Sequence, residues 1–154
     1  MKNELFFLLF LLTCTAVHSQ DYINKKKTDV VAYLKKKYQQ DNSEKTSIIE
    51  EKDTVRLQLK DPANQLYDYL LAFDGAGSCK SETIMTRCDS CLAVLVQQVL
   101  AKKKYKWKQL NENQYVSRFE DNLMIELPAD NTYHSFSVLR VEWTKELYKL
   151  LLKQ

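Results

Sequence analysis

Five apolar residues, Leu92, Leu95, Val96, Val99 and Leu100, recur at i, i+3, i+4, i+7 and i+8, and on both sides of them the apolar period falls to two. A stripe of that spacing is one buried face of an α-helix. Strict alternation is the mark of a strand with one face covered and one wet. A helix between two sets of half-covered strands cannot be a helical bundle, and short polar turns between the strands exclude the long crossovers of a parallel sheet. The chain is therefore expected to be α+β, an antiparallel meandering β-sheet with about three helices packed on it.

The other elements are expected as follows. Val30, Leu34 and Tyr38 recur every fourth residue, giving a helix from Thr28, as N-cap, to about Gln40. Ser47 to Glu50 pairs across Lys52-Asp53 with Val55, Leu57 and Leu59, which alternate with Arg56, Gln58 and Lys60. Tyr67, Tyr69, Leu71 and Phe73 share one face of the next strand, Asp74-Gly75-Ala76-Gly77 turns, and Ser81 to Thr86 returns. Beyond the central helix, Lys102-Lys103-Lys104 is placed in its last turn, where cations suit the helix dipole. Four strands follow: Tyr105–Lys108, Tyr115–Phe119, Leu123–Leu127 and Tyr133–Trp143, the last with a phase change that implies a bulge or cover on both faces. Thr144 caps a closing helix with Leu147, Leu150 and Leu151 as its buried stripe and Trp143 and Tyr148 as a hydrophobic staple. Helix followed by strands thus occurs twice, a weak sign of duplication.

The N-terminus reads as a secretory leader. Lys2 precedes the apolar run Phe6 to Leu12, and Ala16-Val17-His18-Ser19 supplies a cleavage region, so residues 1–19 are expected to be removed and 20–154 to form a single domain. The apolar run is about half the roughly 20 residues of a membrane span, and no transmembrane segment is expected in the mature chain. Cys14 lies in a lipobox-like setting, but Thr13 does not suit it, and no lipid anchor is expected there. The expected location is secreted or periplasmic. Lys2 and Glu4 cancel, so the mature chain keeps the net charge of +3, too mild for a dedicated nucleic-acid binder.

In such a compartment three cysteines remain, Cys79, Cys88 and Cys91, and an oxidising environment favours a bridge. Cys88-Asp89-Ser90-Cys91 opens the central helix, where a thiolate is stabilised. Over those four residues it resembles the motif of thioredoxin-like oxidoreductases, although their βαβ surroundings are absent. A structural bridge is the leading expectation, with Cys88–Cys91 favoured. If residues 80–86 are extended, Cys79 lies out of reach of Cys88. The alternative is a thiol-redox protein using Cys88 and Cys91. No metal or other cofactor is expected; the one zinc set the composition allows is Cys79, Cys88, Cys91 and His134, and its spacing fits no common finger.

Catalysis finds little support. With His18 in the leader, His134 is the only histidine left, and it is expected to face solvent from a strand. No Gly-x-Ser-x-Gly, phosphate loop or His-Glu-x-x-His occurs. Lys102, Lys103, Lys104, Lys106 and Lys108 with Trp107 could hold an anionic polymer, or could be a solvated face behind buried aromatics. Nine tyrosines and two tryptophans can anchor a protein partner. The resulting expectation is a non-enzymatic binding module whose partner is another envelope or extracellular protein or an anionic polymer.

Overall fold

The structure, a computed structural model, describes residues 22–38, 45–60, 64–128 and 134–153. Residues 1–19, expected to be a leader, and Cys14 among them lie outside the described residues. The order is α1 (Lys27–Tyr38), β1 (Thr46–Glu50), β2 (Thr54–Lys60), β3 (Leu66–Phe73), β4 (Cys79–Thr86), α2 (Asp89–Leu100), β5 (Lys108–Asn111), β6 (Gln114–Val116), β7 (Leu123–Glu126), β8 (His134–Arg140) and α3 (Lys145–Leu151). All eight strands join one antiparallel sheet in the order β1-β2-β3-β4-β8-β7-β6-β5. The protein is α+β, as the alternation of periods requires.

Register fixes which side chains share a face. Val55, Leu71, Glu82 and Val138 lie opposite one another in turn, as do Leu57, Tyr69, Ile84 and Phe136. This first face forms one core with Val30, Val31 and Leu34 of α1 and Leu95, Val96 and Val99 of α2. Leu92 and Leu100 pack at its margin, so the whole expected stripe of α2 is inward. Each large apolar side chain so buried contributes about 1.5–3 kcal/mol.

Several local expectations are corrected. α1 already begins at Lys27, and Thr28 does not cap it. The start is set instead by backbone bonds to the head of β4: Asn24 N–H to Cys79 O, Cys79 N–H to Lys25 O and Lys27 N–H to Gly77 O, each 2.9 Å. α2 stops at Leu100, and the lysine triplet lies beyond its end. The Trp107 indole N–H donates to Val99 O at 3.2 Å, satisfying a terminal carbonyl, while Lys106 takes a left-handed φ of 48°. Tyr105 consequently sits in a 3₁₀ turn and not in a strand. Phe119 likewise lies in a 3₁₀ turn, because Ser117 Oγ accepts the Leu123 N–H at 2.9 Å and folds the chain back after β6. β8 has no bulge: its register is continuous with both neighbours. Its change of phase reflects half-buried Leu139 on the second face and the end of the strand before Val141 and Trp143.

Candidate functional site

Two regions carry the residues singled out from sequence, and the structure adds a third. The first is the start of α2. Cys88 and Cys91 form a disulfide, with Cα atoms 5.1 Å apart. Cys88 is the N-cap residue, and its Sγ accepts the Cys91 N–H at 3.2 Å, with the Ser90 hydroxyl 3.4 Å away. Both cysteines are half-buried. A bridge closing so short a loop removes little chain entropy, about 2 kcal/mol by the loop-length relation.

Cys79 is elsewhere. β4 is extended from Cys79 to Thr86, so roughly 23 Å of strand, at about 3.3 Å per residue, separates its two ends. Cys79 is fully buried, and burial first, then the nearby Glu82 carboxylate, pushes its thiol up to about 12. Among the described residues no group of three or more His, Cys, Asp and Glu side chains is placed to hold a metal. His134 does not face solvent from the open side. It is half-buried, directly across from Thr86 and in phase with buried Phe136 and Val138. Thr86 Oγ1 accepts the Cys88 N–H at 3.3 Å, so His134 and the disulfide gather at the same end of the β4–β8 pair.

The second region is Lys102 to Lys108. Tyr105 and Trp107 pack against the core, their ring centroids 5.5 Å apart. The Lys104 ammonium lies 4.6 Å from the Tyr105 ring centroid. Lys103, Lys104, Lys106 and Lys108 are exposed, whereas Lys102 is half-buried. With both aromatics turned inward, the segment offers charge without a stacking platform.

The third region is one that sequence reasoning did not single out: the second face of the sheet. Register lines up Arg56, Leu70, Thr83, Ser137, Glu126 and Gln114 in one row across six strands. A parallel row holds Ala72, Ser81, Leu139, Met124 and Val116. Thr83 and Ser137 share a hydrogen bond of 2.8 Å at its centre. The Arg56 guanidinium grips Asp68 through both carboxylate oxygens, with Gln58 adding a third donor. Burial would raise the Asp68 carboxyl, but the hydrogen bonds from Arg56 and Gln58 outweigh it and hold it below the usual range. A depression of about 510 Å³ opens where Asn111, Gln114, Glu126 and Ser137 meet. The signal for this face was present in the outward half of every alternating strand, but alternation alone does not tell a wet face from a docking face.

On the covered face, fully buried Glu82 was also missed. It lies two residues before Ile84, in phase with the inward set, between Leu71 and Val138. Tyr22 and Tyr69 nearby have their hydroxyls pushed far up, first by burial and then by neighbouring groups that include Glu82.

No family model, no curated protein and no solved structure matches this chain. Among the described residues no helix is long and apolar enough to cross a membrane.

Proposed function

We propose that the protein is an exported, non-enzymatic module that binds another folded protein across the second face of its sheet. The observation that carries this reading is the face itself: aligned rows of half-buried hydroxyl, amide, Leu and Met side chains, ending at fully buried Val116 on β6, while α1 and α2 both bury their apolar residues on the other side. Five strand spacings of about 4.8 Å across the six aligned strands and a strand length of about 17–20 Å give a face of roughly 450 Å². That is about half of the ~800 Å² per partner of a standard protein interface, so the partner also engages the rim loops.

Charge favours a protein over a polyanion as occupant. Arg56 is neutralised by Asp68, and Glu126 accepts from Gln114 at 3.2 Å, so the rows hold no uncompensated cation. The exposed lysines of the Lys102–Lys108 region lie in the loop after α2 and on edge strand β5, and the second face itself carries an exposed lysine in phase with Arg56, Lys60 at the end of β2. Export is supported by the N-terminal leader pattern and is compatible with the disulfide. A duplication of helix plus four strands is part of the same proposal. The strand order reads alike from either edge, with the fourth strand of each half paired to the other.

The test is capture from envelope and extracellular fractions by the wild type, by Ser137→Arg and Met85→Arg on the face (Met85 lies across from Asp68 and Ser135, in phase with Thr83), and by a Lys103→Glu/Lys104→Glu control. A partner retained by the control and lost by both face variants, all with unchanged circular dichroism, is the expected result. A partner lost by the lysine variant and kept by the face variants would overturn the reading in favour of an anionic ligand.

A further inference from the structure

We propose that Cys88 and Cys91 are a thiol–disulfide exchange site for polypeptide dithiols, with the exposed strip of α2 as docking ground. This activity is independent of the sheet face.

Four observations converge. The bridge spans a sequence separation of three and lies at the edge of the core, so opening it leaves every element tied down by other contacts. Its sulfurs are half-buried, within reach of a reagent, whereas Cys79 is sealed inside. When the bridge opens, Cys88 becomes a thiol already facing the Cys91 N–H and the Ser90 hydroxyl, at the start of a twelve-residue helix, an arrangement that stabilises the thiolate. His134 stands across from Thr86, the residue that anchors the Cys88 backbone, so an imidazole lies at this end of the sheet.

The docking ground follows from helix geometry. Val94 and Gln98, three and seven residues beyond Cys91, continue on the adjoining strip of α2. They join Ala93, Gln97 and Ala101 around a shallow depression of about 440 Å³. Val94 is 49% exposed there. An extended peptide with an apolar residue next to its cysteine would fill that depression while its sulfur reached the pair.

The exchange balances without a cofactor. A thiolate of the substrate dithiol attacks Cys88 Sγ, the Cys88–Cys91 bond breaks, and Cys91 leaves as a thiolate and takes up the proton. The second substrate thiolate then attacks the first substrate sulfur, forming the substrate disulfide and releasing Cys88 as the stabilised thiolate. Two electrons pass from the substrate dithiol to the protein disulfide, and the reverse sequence reduces a substrate disulfide.

The test uses the full chain and two synthetic dithiol peptides that differ in having a leucine or a serine beside the cysteine. In the reduced chain, Cys88 is expected to alkylate with a midpoint below about pH 7, against about 8.5 for an ordinary thiol. With the oxidised, disulfide form of either peptide, Cys91→Ser is expected to be trapped as a mixed disulfide: the Cys88 thiolate attacks one peptide sulfur, the peptide S–S bond breaks, the other peptide sulfur leaves as a thiolate, and no Cys91 is present to resolve the product. Val94→Glu is expected to slow exchange with the leucine peptide about tenfold, the loss of one apolar contact, and to leave the serine peptide unaffected. A Cys88 midpoint near 8.5, or equal rates for both peptides with wild type and Val94→Glu, would overturn the proposal. Circular dichroism of the reduced wild type shows whether the fold persists, so the alkylation midpoint decides even if a cysteine variant fails to fold. Loss of the fold on reduction would itself mark the bridge as structural and overturn the proposal.

Discussion

At the residue scale, the turn between β3 and β4 shows how one side chain organises a junction. Asp74 Oδ1 accepts the Ala76 and Ser78 N–H groups, both at 2.9 Å, while Oδ2 takes the Arg140 guanidinium from the end of β8. Arg140 also donates to Asn24 Oδ1 at 3.0 Å, so a single arginine ties the N-terminal segment, the turn and β8 together. Gly77 completes the turn at φ +72°, a conformation that side chains disfavour, while Gly75 stays at negative φ. The Arg140 hydrogen bond first, then the Ser78 and Ala76 amides, hold the Asp74 carboxyl down at about 2. Its folded value lies below its unfolded value near 3.9, so its stabilising effect is complete above about pH 4 and is lost as pH falls toward 2. In urea titrations between pH 5 and 2, wild type is therefore expected to lose midpoint more steeply than Asp74→Asn. Parallel slopes for the two would mean that the clamp contributes nothing. The turn itself was legible as Asp74-Gly75-Ala76-Gly77. Its cross-link to Arg140 was not, because nothing in an isolated sequence brings positions 74 and 140 together.

Elements were legible to the extent that one pattern admits one structure. The stripe of α2 and the alternation of Val55, Leu57 and Leu59 each have a single packing solution, and both are found. Tyr105 and Trp107 alternating with lysines have two, and the one realised depends on the indole reaching Val99 O, which no local pattern encodes. α3 shows the opposite failure. Leu147, Leu150 and Leu151 carry a helical period, yet Leu147 is 45% and Leu150 60% exposed. The helix is held instead by its Thr144 cap, by the Tyr148 hydroxyl donating to Ser117 O at 2.7 Å, and by ring contacts of Tyr148 with Phe119 and Trp143. The Trp143–Tyr148 contact is the staple expected from sequence. With so few attachments, α3 should open more readily than the sheet. Tyr148→Phe removes one hydrogen bond worth about 1 kcal/mol, so amides of α3 should exchange about fivefold faster while those of β4 and β8 keep their rates. Equal acceleration in β8 would show that α3 belongs to the cooperative core.

At the scale of the whole molecule, the pairing of β4 with β8 decides whether there is one folding unit or two. Every other strand pair joins strands consecutive in sequence, which turn chemistry can specify. This pair is non-local, joins the last strand of each half, and leaves Phe136 and Val138 fully buried against Ile84 and Glu82. That is why the class of fold could be read from the sequence while the strand order could not: a meander fixes neighbours within a half but not which edges meet. The core cluster runs without a break from Leu34 of α1 to Leu123 and Ile125 of β7, so the two halves share one apolar interior. A cavity beneath α1 should then be felt by reporters far from it. Leu34 is fully buried, and Leu34→Ala should destabilise by about 3 kcal/mol. Trp107 and Trp143 both lie in the second half of the chain, so their fluorescence follows that half. In one cooperative unit, the urea midpoint of Leu34→Ala falls by the same amount whether read by tryptophan fluorescence or by circular dichroism. If the fluorescence midpoint stayed at its wild-type value while the dichroism midpoint fell, α1 and its four strands would unfold on their own and the continuous sheet would be energetically two sheets.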